Sequence, residues 1–385
     1  MAEDAAQTAV ERDPLVRKAL THSLAFWATV VPVALVISNA LNHQLAFDVH
    51  YVFVPAAHDV LHGASPYSGI HSWAVRQGIP YLYPPLGAYL FAPLTLLPTV
   101  AAGVLATVLV AACVPATLLV LGVRDWRCHL IAFLWLPVIA GIQSANLTLP
   151  MMLGLALVWR YRDRKIVVAL VTGLLVALKL FFWPLLLWLV ATRRYRAAAI
   201  GAAASAVLVF APWAGIGFAG LHMYPHLLSA VARREGAISY SVAALVHLFT
   251  PSWTAAVAVE TVLGVALLAL VLAVGRRGRE RDAFTLAIVA ILVLTPLLEM
   301  HYFALLLVVV ALYRDRLSAA WVVPLLIWGA PESNNGSGVH RVHVFLIAAA
   351  VVALVLSDSR PRVLGRRLRF ETTERLGSAF ARPSS

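Results

Sequence analysis

The sequence predicts an all-α polytopic membrane protein, and three observations carry that expectation. Of its 385 residues, 61% are hydrophobic and only 12% are charged, where a soluble domain carries about 25% charge. Apolar stretches near the roughly 20 residues that cross a bilayer recur from Leu24 to Leu356. Arg and Lys fall in short clusters between those stretches, as the positive-inside rule requires. A soluble enzyme on a single anchor is thereby excluded. The formal net charge of +12 is a topology signal rather than a nucleic-acid footprint, because no soluble basic domain exists to carry one. Anionic membrane lipids are the natural partners of such clusters. Cys113 and Cys128 fall at different depths and indicate neither a disulfide nor a metal site.

Three regions follow: a cytoplasmic tail over 1–18, a membrane domain over 19–357, and a basic cytoplasmic tail over 358–385. Ala19–Leu41 lacks a cleavage pattern and reads as an uncleaved first helix leading outward. The first outer loop occupies 42–82. Pro84–Val123 holds enough apolar residues for two spans, whereas the charge parity asks for an odd number. Either Tyr83–Pro98 dips only into the outer leaflet, or the Arg124–Arg127 cluster is external. Leu130–Trp159 rises and returns about Gln143-Ser144-Ala145-Asn146, and Ile166–Leu189 does so about Lys179. At about 1.5 Å rise per residue these spans are short, so they need a thinned bilayer or burial among longer helices. Ala197–Ile216 crosses outward, 222–247 stays outside, and Trp253–Val274 returns. Ala283–Leu298 goes out, Glu299-Met300-His301-Tyr302 turns, and Phe303–Tyr313 comes back. Ala319–Trp328 and Val342–Leu356 flank the loop Pro331–His340. The total is about twelve crossings with a cavity at the outer face.

Under this topology the unusual polar residues gather on one side: Asp48, His50, Gln143, Asn146, Lys179, Tyr240, Glu299 and His301. Ionisable groups at membrane depth cost about 2.5–3.5 kcal/mol on insertion scales, so they usually face a functional cavity. Each also has a plainer reading. Asp48 can cap a surface helix, Lys179 can snorkel to headgroups, and Gln143 and Asn146 can join helices by hydrogen bonds. A carboxylate with nearby cations at the outer leaflet suits transfer of a sugar from a lipid phosphate. The acceptor hydroxyl needs a base, for which Asp48 is available. The departing phosphate needs donors, and Lys179, His301, Arg76 and Arg233 are candidates. Tyr51, Tyr67, Tyr83, Trp73 and Trp183 can pack against sugar rings, although interface belts use the same residues.

Several islands carry a resemblance. Phe47-Asp48-Val49-His50-Tyr51 and Gly63-Ala64-Ser65-Pro66-Tyr67, then Tyr83-Pro84-Pro85-Leu86 with Leu97-Pro98, resemble the first outer loop and following helix of glycosyltransferase family 87. That family includes polyprenol-phosphate-mannose-dependent α-mannosyltransferases of actinobacterial type, with the GT-C membrane fold. Gln143-Ser144-Ala145-Asn146 is similar to its Gly-Gln-x-Asn turn, with one residue inserted and the glycine displaced to Gly141. Leu178-Lys179-Leu180 is similar to its Lys-x-x-Pro segment, with the proline late at Pro184. Thr295-Pro296-Leu297-Leu298-Glu299-Met300-His301 resembles Ser-Pro-x-Ser-Trp-x-His with the Trp replaced.

The resemblance implies an inverting enzyme of the plasma membrane, active on the extracytoplasmic side, that moves mannose from a polyprenyl phosphate to a glycolipid or lipoglycan. Asp48 would be the general base, with Lys179, His301 and Arg76 at the donor phosphate. His50, Tyr51, Tyr67, Tyr83, Gln143, Asn146, Tyr240 and Glu299 would meet the acceptor or sugar. No metal or other cofactor is implied. Rival readings are a transporter or flippase of lipid-linked sugars, a structural partner in the cell envelope, and a GT-C enzyme using another polyprenyl-linked sugar such as arabinofuranose. The oligomeric state is left open.

Overall fold

The computed structural model describes residues 45–329 and 338–357, with six helical positions between 22 and 37. The tails over 1–18 and 358–385, most of the first span and residues 330–337 lie outside the described residues. Regular structure among those described is entirely helical. A π-helical turn at Val49–Phe53 continues into Val54–Leu61, and Pro85–Phe91 with Ala92–Leu96 forms a short apolar helix. The chain then runs through α1 (Thr99–Val120), α2 (Trp126–Ala132), α3 (Leu136–Ser144), α4 (Thr148–Arg160) and α5 (Lys165–Leu178). It continues through α6 (Pro184–Ala191), α7 (Tyr195–Gly215), α8 (Met223–Glu235), α9 (Val242–Val246) and α10 (Trp253–Arg276). Last come α11 (Glu280–Val293), α12 (Leu306–Tyr313) and α13 (Gly338–Ser357).

Among the described residues four helices, α1, α7, α10 and α13, are long and apolar enough to cross a membrane. The pair α2 and α3, bent by 64°, makes a fifth if it counts as one span. The remaining apolar helices are shorter, and the reason is where they sit. In α12 (Leu-Leu-Val-Val-Val-Ala-Leu-Tyr) six of the eight residues are buried, the pattern of a helix apolar on every side and enclosed by protein. In α10 only 17% of the apolar window is buried, so most of its surface faces outward. The short helix α12 is thus far more enclosed by protein than the long helix α10.

Small residues set how closely these helices approach. A Cβ on Gly173 of α5 would lie 2.9 Å from the Gly201 carbonyl of α7. Backbone contact of this kind is how apolar helices pack without a hydrophobic drive between them.

The basic clusters share one face. Arg194 binds Asp163 at 2.8 Å and Glu280 at 3.0 Å, joining the loops before α5, α7 and α11. Arg281 donates to the Leu312 carbonyl at 3.4 Å, and the Leu317 N–H donates to Asp125 at 3.1 Å. Arg124–Arg127 therefore sits with the other clusters. Pro85–Leu96, with 12 residues, spans only about 18–24 Å at helical rises, short of the roughly 30 Å hydrocarbon layer. By length and composition α1 is the one described helix of this region able to cross a membrane.

Candidate active site

The helices that leave the basic face reach the site after about 20 Å, the length of 13 or 14 residues in α4, α5 and α11. At those far ends the chain turns three times, at 144–147, at 179–183 and at 294–299, and the first loop folds over them. The cavity between them has a volume of about 500 Å³. Its wall is apolar over most of its area, from aliphatic and aromatic side chains, and polar around Asp48, Asn146, Lys179, Glu235, Glu299 and His301.

Three tyrosine hydroxyls tie down carbonyls of the extended segment before Pro85–Phe91, where only Pro84 also accepts from a helical N–H, that of Gly87 at 3.0 Å. Tyr224 donates to Leu82 at 3.0 Å, Tyr67 to Tyr83 at 3.0 Å, and Tyr81 to Pro84 at 2.6 Å. Buried backbone acceptors must find partners, and here aromatic side chains that also fill the core do so. Phe53 stacks on Phe91 with ring centroids 4.2 Å apart, which locks the π-helical turn carrying Asp48 against this segment.

On the opposite wall α3 ends in a Schellman motif. The Asn146 N–H donates to Gly141 at 2.9 Å and the Ala145 N–H to Ile142 at 3.1 Å. Ala145 takes the left-handed conformation, φ 52°, where glycine is usual. The Gln143 carbonyl, freed by the helix end, accepts from the Ala46 N–H at 2.7 Å. That bond brings Asp48 to the turn. The Asn146 amide donates to Asp48 Oδ2 at 2.5 Å. Asn146 Oδ1 accepts from the Thr148 N–H at 2.8 Å and the Thr148 hydroxyl at 2.7 Å.

Lys179 occupies the break between α5 and the turn Leu180–Phe182. Its ammonium donates to the Tyr302 hydroxyl, lies 3.5 Å from the Tyr83 hydroxyl, and sits 3.9 Å from the Tyr302 ring centroid. No other Lys or Arg lines the cavity among the described residues. His301 is 5% exposed and stacks on Tyr302. Its Nδ1 lies 3.4 Å from Glu299 Oε2, and its Nε2 has no partner. The Glu299 side chain is 70% accessible and lines both this cavity and an adjoining open depression of about 410 Å³.

The charges are mutually perturbed. Burial pushes Asp48 up to about 6, tempered by the Asn146 donor and then by Lys179. Enclosure, followed by the charge of Asp48, pushes Glu299 up, and Lys179 opposes both. Burial pulls the Lys179 ammonium down against the attraction of Glu299 and Asp48. Such opposed shifts in one cavity mark candidate acid and base groups.

The structure gathers Asp48, Tyr83, Asn146, Lys179, Tyr240, Glu299 and His301 around the main cavity, and Gln143 around the adjoining one. Others go elsewhere. Tyr67 is packed among Tyr81, Trp213 and Tyr224. His50 faces Gly103 of α1. Tyr51 is exposed and packs on Phe47. Arg76 donates to the His71 carbonyl in a separate surface depression, while Arg233 is exposed and outside the cavity. Trp73 and Trp183 are likewise exposed. Tyr302, Glu235 and Ser239 line the cavity without having been anticipated. A signal existed for two of them. Tyr224, Leu228, Val231 and Glu235 share one helical face, and Tyr302 directly follows His301 in the turn that the sequence marked.

The model of glycosyltransferase family 87 matches residues 81–299, more than half of the chain. The chain belongs to glycosyltransferase family 87. It is therefore a membrane glycosyltransferase. The matched stretch includes Tyr83, Asn146, Lys179 and Glu299, while Asp48 and His301 fall outside it and are joined to it by the contacts above. No curated protein and no solved structure matched the chain.

Proposed function

We propose that this glycosyltransferase takes a mannosyl group from a polyprenyl monophosphate and passes it, with inversion, to a glycolipid or lipoglycan hydroxyl. The observation that carries this reading is one cavity holding a carboxylate of raised pKa and a single ammonium beneath a largely apolar wall. Such a wall suits an isoprenoid chain, and one ammonium suits a monophosphate. The acceptor oxygen attacks the anomeric carbon as the bond from that carbon to the phosphate oxygen breaks. Asp48 takes the acceptor proton, and the polyprenyl phosphate leaves with one more negative charge, met by Lys179 and by His301 through Nε2. Tyr83, Tyr240, Gln143 and Glu299 meet sugar hydroxyls.

Placing the basic face in the cytoplasm, as the positive-inside rule directs, puts the cavity on the extracytoplasmic side of the plasma membrane. The short helices alternate between the two faces, in keeping with the GT-C fold and about twelve membrane segments. Anionic lipids would surround the basic face.

The test is transfer of labelled mannose from polyprenyl phosphate to extracted membrane lipid by purified protein. Asp48→Asn should be about 100- to 10,000-fold slower, the usual contribution of a positioned base. Transfer by that variant within a few-fold of the parent would remove Asp48 from the role. Labelled polyprenyl-phosphate arabinofuranose in the same assay separates the two sugars.

A further inference from the structure

The hydrogen bonds around Asn146 engage both ends of its amide. Its Oδ1 is held by two donors of one residue, the Thr148 N–H at 2.8 Å and the Thr148 hydroxyl at 2.7 Å. An amide oxygen that receives two donors cannot exchange places with its nitrogen, because a flipped amide would set N–H groups against N–H and O–H groups. The NH₂ end must therefore face Asp48, whose Oδ2 it meets at 2.5 Å. Thr148 is 2% exposed and Asn146 is 4% exposed, so water does not compete for these bonds. The arrangement rests on a fixed backbone as well, since Asn146 is held by its own N–H to Gly141 across the left-handed Ala145.

We infer that Asn146, oriented by Thr148, is the positioning residue of Asp48: it occupies Oδ2 and leaves Oδ1 to face the incoming hydroxyl. This rests on the proposed role of Asp48 as base and replaces substrate contact as the role of Asn146. A donor aimed at the carboxylate also favours its ionised form. The other groups facing Asp48 are Lys179, Glu299, His301 and the Tyr83 hydroxyl. On its own π-helical turn His50 points to Gly103. In the following helix His58 and Asp59 are exposed, and α1 carries no acid or base apart from Cys113.

The experiment measures kcat, acceptor KM and the acid limb of kcat/KM against pH for Asn146→Ala, Thr148→Val and Thr148→Ser in the full chain. Asn146→Ala should lower kcat about 10- to 100-fold, the factor for one hydrogen bond to a charged group. It should raise the acid limb by about one to two pH units and leave acceptor KM within about two-fold. Thr148→Val should move the limb the same way by less, and Thr148→Ser, which keeps the hydroxyl, should restore the parent profile. An acid limb unmoved in Asn146→Ala, or a raised acceptor KM with kcat intact, overturns the inference. If Asn146→Ala fails to fold, the Thr148 pair decides: equal profiles for Val and Ser refute, and a shift confined to Val supports. Activity of Asp48→Asn, measured alongside, reports separately on whether Asp48 is the base at all.

Discussion

Removing the ammonium of Lys179 while keeping its stem separates function from packing. Lys179→Met fills a similar volume between the Tyr83 and Tyr302 rings, whose centroids lie 4.9 Å and 3.9 Å from Nζ. The change takes away the one Lys or Arg lining the cavity among the described residues. Two effects follow. A lost charge-assisted contact to the departing phosphate costs about 1.5–3 kcal/mol, or about a 10- to 150-fold rate loss. The same charge lowers the pKa of Asp48 from within the cavity, so its loss raises the base above about 6 and moves the acid limb of the pH profile upward. Both effects need a charged ammonium, which burial pulls down, so the loss should be greatest near pH 6, where the two multiply, and shrink toward pH 8. Burying an ammonium is costly, so the melting temperature in detergent should stay level or rise. The assay is donor turnover between pH 5.5 and 8.5 together with a thermal melt. A rate within three-fold of the parent at every pH, or a fall in melting temperature that matches the activity loss, would refute the reasoning.

Other outcomes follow from single contacts. Glu260, within α10, accepts from the buried Ala243 N–H at 2.7 Å; Glu260→Leu leaves that donor unsatisfied and should cost about 1–3 kcal/mol of stability, whereas Glu260→Gln keeps an acceptor and should melt near the parent. Ala145→Gly should be tolerated, because the left-handed residue gives up a penalty of about 1–2 kcal/mol. Ala145→Val should lower both melting temperature and transfer, since a β-branched residue resists φ 52° and the turn carries Asn146.

Much of the site was legible because chemistry and topology agreed. Asp48, Lys179, Glu299 and His301 are costly in a membrane, and helix ends put all four on one face. What failed was direction. Tyr67 and His50 belong to the right loop, but side and residue type do not say whether a ring turns to a cavity or to a neighbouring helix. Tyr67 turns inward because the carbonyl of Tyr83 needs a donor. Arg76 lies in a four-residue helix whose orientation depends on contacts far away in sequence. The long spans α7 and α10 were read closely from hydropathy, whereas α1 was left undivided within Pro84–Val123, because the apolar run continues through the short helix before it. Short enclosed helices such as α12 show the same composition at half the length, so hydropathy alone does not reveal that they are central. The turn at Gln143-Ser144-Ala145-Asn146 was read from the sequence even though Ala145, not glycine, takes the left-handed place.

The most direct measurement is a density map of the protein with polyprenyl phosphate bound. The account expects the phosphate within hydrogen-bond reach of Lys179 Nζ and His301 Nε2, its chain along the apolar wall, and Asp48 across open space from it. A phosphate bound outside this cavity, or one leaving Lys179 and His301 without contact to it, would contradict the account.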